Sequence, residues 1–151
     1  MSSPATSSPP PTSRPRAVEV AFWLLIVGAV MLVVGGLLAA TMGFDNIRSV
    51  APDSVSDEQV HNYLTFHRGS GVICVLTGVA LGFLTGKMRL GDARFRRATI
   101  VLALVTVVLV GLVAVFAGIH ILSLVGLLPI IVGALLLTRP AAAEWFTGAG
   151  S

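Results

Sequence analysis

The sequence predicts an all-α membrane protein, in which four transmembrane helices form a bundle and a short amphipathic helix lies outside the membrane. Of its 151 residues, 55% are hydrophobic and only 11% are charged, whereas soluble domains carry about 25% charged residues. Stretches free of Asp, Glu, Lys and Arg fill residues 20–42, 69–86 and 98–138, and basic residues cluster between them. This composition excludes a water-soluble globular enzyme and a disordered chain.

The chain begins with a polar tail that leads into the first span. Residues 1–16 hold five of the eight prolines and many serines and threonines. Such a composition buries too little apolar surface to offset the entropy lost on ordering, so we expect a disordered cytoplasmic tail. The apolar stretch 20–42 is long enough to cross a hydrocarbon core of about 30 Å. It exceeds the roughly 7–15 residues of a signal-peptide core, which predicts an uncleaved transmembrane helix.

The segment 43–68 between the first two spans is predicted to lie outside the membrane. Its first part, 43–55, is rich in Gly, Asp, Asn, Pro and Ser and is typical of a loop. Ser56 and Gln59 then have the spacing of a capping box, which starts a helix. Apolar and aromatic side chains follow at helical spacing, so the helix is predicted to be amphipathic and to continue into the second span, 69–86.

The last apolar stretch is too long for one helix. Residues 98–138 would form a helix about 60 Å long, roughly twice the hydrocarbon core. The sequence therefore predicts a turn near Gly118 and two spans, 98–117 and 120–138. Together these elements define a transmembrane domain over residues 17–140, followed by a cytoplasmic tail, 141–151.

The distribution of basic residues predicts the orientation. With four spans, both termini lie on one side, and that side carries eight of the ten basic residues: Arg14, Arg16, Lys87, Arg89, Arg94, Arg96, Arg97 and Arg139. Cytoplasmic loops are the ones enriched in Lys and Arg. We therefore expect a multi-pass protein of the plasma membrane with both termini in the cytoplasm. Because topology accounts for the basic loop, nucleic acid is not expected as a partner.

Small residues at regular spacing predict where helices approach one another. Span two carries four of them at four-residue steps, and span one carries two at a seven-residue step; they are Cys74, Gly78, Gly82 and Gly86, and Gly28 and Gly35. Lipid gives helices no hydrophobic reason to associate, so close backbone approach must supply the contact. The stripe packs either within the bundle or against another membrane protein, a second copy included.

The outer amphipathic helix offers a candidate docking surface. Its apolar side consists of Val60, Tyr63 and Leu64. This side could lie on the bilayer, cover the tops of the spans, or dock a partner with the aromatic ring as its anchor. The sequence leaves these alternatives open.

The three histidines are the weak candidate for a metal or haem site. His61, His67 and His120 all belong to the outward side, but a six-residue separation points His61 and His67 about 120° apart on one helix. No cofactor is therefore expected. The spans also lack the embedded charged residues that mark ion and proton paths, and no nucleophile–base set is visible, so no enzymatic activity is predicted.

The start of span one has a further likeness. Residues 14–24, RPRAVEVAFWL, resemble a recurrent opening, R-P-x-x-V-x-x-A-F-W-L, of small actinobacterial membrane proteins with four spans and a short outer helix. Their second cytoplasmic loop is Arg- and Gly-rich, as residues 87–91 are here. Where that loop often has a Trp-Ala-Arg-like piece, this chain has Phe95-Arg96-Arg97. The resemblance implies location and architecture, and no activity.

These observations favour a non-enzymatic accessory or structural subunit that packs against a larger membrane complex, of the respiratory or envelope-assembly kind. The first alternative is a small transporter or channel component that works as an oligomer. The second is a membrane-bound metal or haem binder that uses the outer histidines.

Overall fold

A computed structural model describes residues 14–117 and 120–148, and this part of the chain is helical without strands. The helices are α1 (Arg16–Ala40), α2 (Phe44–Arg48), α3 (Asp57–Met88), α4 (Ala93–Ala117), α5 (Ile121–Thr138) and α6 (Pro140–Gly148). Four of them, α1, α3, α4 and α5, are long and apolar enough to cross a membrane. The predicted all-α architecture with four transmembrane helices is confirmed.

The four long helices form a ring. α1 packs against α3 and α5, and α4 closes the ring by packing against the same two helices. Coverage is uneven: in the most apolar stretch of α1, 44% of the residues are buried, against 22% in α4. α1 is therefore the central packing element, and α4 presents the largest share of its surface to the surroundings.

The buried positions of each long helix follow a heptad spacing. In α3 the steps alternate between four and three residues, through Val60, Leu64, His67, Gly71, Cys74, Gly78, Leu81, Thr85 and Met88. In α1 the same alternation runs through Val18, Ala21, Leu25, Gly28, Leu32, Gly35 and Ala39. A mean period of 3.5 residues is that of left-handed supercoiled helices crossing at about 20°, and this packing is common in membrane bundles.

The start of α3 matches the predicted capping box. The Gln59 backbone N–H donates to the Ser56 hydroxyl (3.3 Å), and the Ser56 backbone N–H donates to the Gln59 side-chain oxygen (2.9 Å). The helix then continues without a break for 32 residues, about 48 Å at 1.5 Å per residue. The predicted outer amphipathic helix is therefore the first part of α3, which extends beyond a 30 Å hydrocarbon core at one end.

The loop predicted over residues 43–55 contains one short helix, α2. It is tied to the start of α3 by Arg48, whose guanidinium donates to the Val55 carbonyl (2.7 Å) and pairs with Asp57 (3.2 Å). A sequence rich in turn residues does not reveal this brace, since it depends on a contact across nine positions.

The α4–α5 turn and the C-terminal segment complete the bundle. His120 caps α5, because its Nδ1 accepts a hydrogen bond from the Leu122 backbone N–H (3.3 Å). Pro129 lies inside α5, where it leaves the Val125 carbonyl without its usual helical donor. Helix α6 occupies most of the predicted C-terminal tail. The remaining tail residues, 1–13 and 149–151, and the turn residues 118–119 lie outside the described residues.

Candidate functional site: the packing faces and the two ends of the bundle

The α1–α3 interface is a contact between backbones. A Cβ built on Gly71 would lie 2.5 Å from the Gly36 carbonyl oxygen, and one built on Gly78 would lie 2.8 Å from the Ala29 carbonyl oxygen. Cys74, only 3% exposed, packs beside Gly36 in the same seam. Cys74 and Gly78, two of the residues predicted to pack, thus lie in this seam within the chain.

The predicted packing glycines of span one face a different helix. Added Cβ atoms on Gly28 and Gly35 would clash with Ile130 and Ser123 of α5. From the other side, Gly133 of α5 admits the Leu25 side chain, whose Cγ would lie 2.8 Å from an added Cβ. α1 therefore uses two small-residue faces at once, one toward α3 and one toward α5. This division explains why α1 is the best-covered helix.

The glycine stripe of α3 leaves this interface toward the end of the helix. An added Cβ on Gly82 would lie 4.0 Å from its nearest neighbour, the Ala29 Cβ, and one on Gly86 would meet no atom within 4 Å among the described residues. The reason is helical geometry. A four-residue step turns about 40° beyond one full turn, so the stripe drifts away from the heptad seam, which passes instead through Leu81 and Thr85.

A shallow apolar groove lies where the stripe emerges. It encloses 240 Å³ between α1 and α3 and is lined by Ile26, Ala29, Val30, Val33, Val34, Gly78, Val79 and Gly82. Its surface is almost entirely apolar. Such a groove, floored by glycine and walled by branched side chains, has the shape into which another transmembrane helix fits.

The three predicted docking residues of the outer helix differ in exposure. Val60 and Leu64 are 2% and 3% exposed, so they belong to the packed seam and present nothing to a partner. Tyr63 is 43% exposed, and its ring stacks on His67 with centroids 5.5 Å apart. The seam continues past the membrane because α3 is one unbroken helix. Val60 and Leu64 are therefore covered by the rest of the chain, whereas Tyr63 stays exposed.

The outer histidines also separate. His61 is exposed and stacks on Phe44 (4.6 Å between centroids), whereas His67 is 4% exposed. His120 uses its Nδ1 to cap α5. Both ring nitrogens of His67 lack a hydrogen-bond partner within the described part of the chain. Over residues 14–117 and 120–148, no group of three His, Cys, Asp or Glu side chains could hold a metal ion.

The opposite end of the bundle is organised around Glu19. Its carboxylate accepts hydrogen bonds from Arg14 (3.1 Å), Arg89 (2.9 Å) and the Trp23 indole (3.2 Å). The Arg89 guanidinium also lies 4.5 Å from the centroid of the Phe22 ring. This cluster joins the start of α1 to the end of α3. This cluster is not among the predicted sites, although the sequence holds one signal for it, a lone acid at a helix start on the same side as the basic loop.

A second arginine joins α4 to α5 at the same end. Arg96 donates from Nε (3.0 Å) and Nη2 (2.7 Å) to the Leu137 carbonyl oxygen. That carbonyl is one of the last four of α5, which have no partner within the helix. The guanidinium also lies 5.7 Å from the centroid of the Phe146 ring of α6. One side chain thus fixes the spacing of three helices.

Comparisons of the chain with protein-family models, with curated proteins and with solved structures found no match.

Proposed function

We propose that this protein is a non-enzymatic accessory subunit of the plasma membrane that packs against a larger membrane complex of the respiratory or envelope-assembly kind. Its contact surface is the groove between α1 and α3. The observation that carries this proposal is that the glycine stripe leaves the intrachain seam at Gly82, which lines the groove, and continues to Gly86, where an added Cβ would meet no described atom within 4 Å. Gly71 and Gly78 of the same helix, by contrast, each meet backbone atoms of α1.

Membrane physics supports a helix as the occupant of the groove. Two helices in lipid gain little from excluding water, so they associate where small residues let their backbones approach closely. Gly82 lies on the floor of the groove, and Val30, Val34 and Val79 lie on its walls. A partner helix with small residues on its contacting face could approach Gly82 closely and pack between these valines.

The chemistry of the spans also favours an assembly role. The apolar stretches 20–42, 69–86 and 98–117 contain no Asp, Glu, Lys, Arg or His. Proton relays and ion paths depend on such residues within the membrane. A transporter or channel function for this chain would need a path built by several copies. Co-purification distinguishes such an oligomer from a heteromeric complex.

Two sequence features support the location and orientation. The eight basic residues on the side of both termini favour a cytoplasmic position for that side. Residues 14–24 resemble the openings of small actinobacterial four-span proteins, and this likeness favours a location in the plasma membrane. The half-exposed cluster around Glu19 would then lie at the cytoplasmic surface.

The test is co-purification in a mild detergent after expression at the native level. Gly82→Leu places a branched side chain on the floor of the groove and should lower recovery of co-purifying membrane proteins about tenfold, which corresponds to a loss of about 1.4 kcal/mol. Gly69→Leu is the matched control, because Gly69 lies on the same helix and an added Cβ there meets no described atom within 4 Å.

The outcomes separate the alternatives. Equal recovery with both variants contradicts docking through the groove. A complex made only of copies of this chain favours the oligomeric transporter or channel component. Stoichiometric metal or haem absorbance in the purified wild type, lost in His67→Leu, favours the metal or haem binder.

A further inference from the structure

We propose that the groove between α4 and α5 is a binding site for one anionic phospholipid, whose acyl chain lies in the groove and whose phosphate pairs with Arg97 and Arg139. This site goes beyond the proposed function and lies on a different pair of helices from the α1–α3 groove.

The groove supplies the apolar half of the site. It encloses 220 Å³ and is lined by Ile100, Ala103, Leu104, Val107, Ile131, Ala134, Leu135 and Thr138. On each helix, the first and last lining residues are seven positions apart, which corresponds to about 10 Å along the helix axis. This length fits within one leaflet of a hydrocarbon core about 30 Å thick. The groove therefore has the polarity and depth of an acyl-chain site.

Two exposed arginines stand at its end. Arg97 precedes the lining residue Ile100 by one turn, and side chains on a helix tilt toward its start, so its guanidinium is directed away from the membrane centre. Arg139 follows the lining residue Thr138 directly, where α5 ends and the backbone becomes extended. Both side chains belong to residues that are exposed.

The neighbouring contact brings the helix positions of Arg97 and Arg139 to the same end of the groove. Arg96, adjacent to Arg97, donates two hydrogen bonds to the carbonyl of Leu137, two residues before Arg139. Arg96 is thereby engaged, and it holds the ends of α4 and α5 at a fixed distance. The arginines on either side of this link are left to face a ligand.

Among the described residues, no carboxylate forms an ion pair with either arginine, and this includes Glu144 of α6. Glu19 is paired with Arg14 and Arg89, and Asp92 accepts from the Arg94 backbone N–H at the start of α4 (2.8 Å). In the described residues, neither Arg97 nor Arg139 has a side-chain hydrogen bond or an ion pair. Guanidinium groups bind phosphate through paired N–H donors. An apolar groove that ends at two unpaired guanidinium groups matches the amphipathic shape of an anionic phospholipid.

The experiment measures lipid binding to the purified full-length protein by native mass spectrometry in a neutral detergent. The probes are dioleoyl phosphatidylglycerol, dioleoylglycerol, which has the same chains without phosphate, and inorganic phosphate as a competitor. For the wild type we expect one tightly bound phosphatidylglycerol and little dioleoylglycerol. The double variant Arg97→Gln/Arg139→Gln should weaken the phosphatidylglycerol affinity about tenfold.

Two further variants make the test specific. Arg16→Gln removes an exposed charge at the same end of the bundle, on the helix that does not adjoin α4, and should leave binding unchanged. Leu104→Trp fills the groove at a residue that is 58% exposed and should weaken binding with the arginines intact. Circular dichroism establishes that each variant is folded.

Three results would overturn the proposal. One is equal phosphatidylglycerol affinity in the wild type and the double arginine variant. Another is dioleoylglycerol binding as tight as that of phosphatidylglycerol, because the arginines would then contribute nothing. The third is displacement of the lipid by millimolar phosphate together with unchanged binding in Leu104→Trp, which would indicate a surface anion site without an acyl chain.

Discussion

Gly36 and Gly71 face each other across the α1–α3 interface so closely that a Cβ on either one would lie 2.5–2.6 Å from the carbonyl oxygen of the other. Each glycine thus provides the space that the opposite backbone occupies. Because such an approach replaces lipid contacts with contacts between backbones, it is the kind of interaction that holds helices together in a bilayer.

A methyl group at this crossing should destabilise the bundle. In Gly71→Ala the new Cβ would lie 2.5 Å from the Gly36 carbonyl oxygen and 2.7 Å from the Ala40 nitrogen. Because both are backbone atoms, the helices must separate, and overpacking of this kind costs about 1–3 kcal/mol. Thermal unfolding in detergent, followed by circular dichroism, should show a lower Tm.

The control for this variant lies two residues earlier. Gly69→Ala adds a methyl group in open space within the same helix, where alanine favours a helix over glycine by about 0.5–1 kcal/mol. The Tm of this variant should stay the same or rise. An equal decrease in Tm for both variants would mean that the Gly36–Gly71 contact contributes no more to stability than an open position of the same helix.

The link between α4 and α5 should carry measurable stability. Arg96→Met keeps an apolar stem but removes both hydrogen bonds to the Leu137 carbonyl. Hydrogen bonds from charged groups contribute about 1.5–3 kcal/mol, so the free energy of unfolding should fall by about 1.5–3 kcal/mol. Arg94→Met, at an exposed residue of the same helix, should have little effect. A similar loss in both variants would attribute the change to net charge.

His67 should be replaceable by an apolar residue. Its ring is buried, and neither nitrogen has a partner in the described chain. An unsatisfied buried polar group costs about 1–3 kcal/mol, so His67→Leu should raise the free energy of unfolding. His120→Leu, by contrast, removes the cap of α5 and should lower it by about 1 kcal/mol. Destabilisation by His67→Leu together with loss of a bound metal would point instead to a ligand on that ring.

The orientation can be read from two exposed loop residues. Val50, 80% exposed, lies in the α2–α3 loop, and Leu90, 78% exposed, lies in the α3–α4 loop. In intact cells, a membrane-impermeant thiol reagent should label Val50→Cys and leave Leu90→Cys unlabelled until the cells are opened. Buried Cys74 serves as the unlabelled background. The reverse pattern would invert the proposed topology.

The sequence was sufficient for features that depend on neighbouring residues. The capping box of Ser56 and Gln59 needs only local spacing, and the spans need only length and the absence of charge. The sequence did not predict which helix packs against Gly28 and Gly35, because one helix can present two small-residue faces to two neighbours.

Helical geometry bears on two points that the sequence left open. A stripe of four-residue steps could pack within the bundle or against a partner; because the buried seam advances by 3.5 residues, Cys74 and Gly78 lie within it, and Gly82 and Gly86 rotate out of it. Likewise, the apolar side of the outer turns was considered for docking, yet the seam continues through Val60 and Leu64. The Glu19 cluster was missed because its arginines are distant in sequence or lie in the preceding tail.

The central claim is that another membrane protein docks where the glycine stripe of α3 emerges, and photocrosslinking in living cells tests it most directly. A benzophenone amino acid at Gly86 would probe that surface, and the same amino acid at Gly111 of α4 would probe an equally open glycine elsewhere. We predict a discrete adduct with a different membrane protein from position 86 and none from position 111. Adducts with lipid alone at both positions, or only with a second copy of this 15.7 kDa chain, would contradict the account.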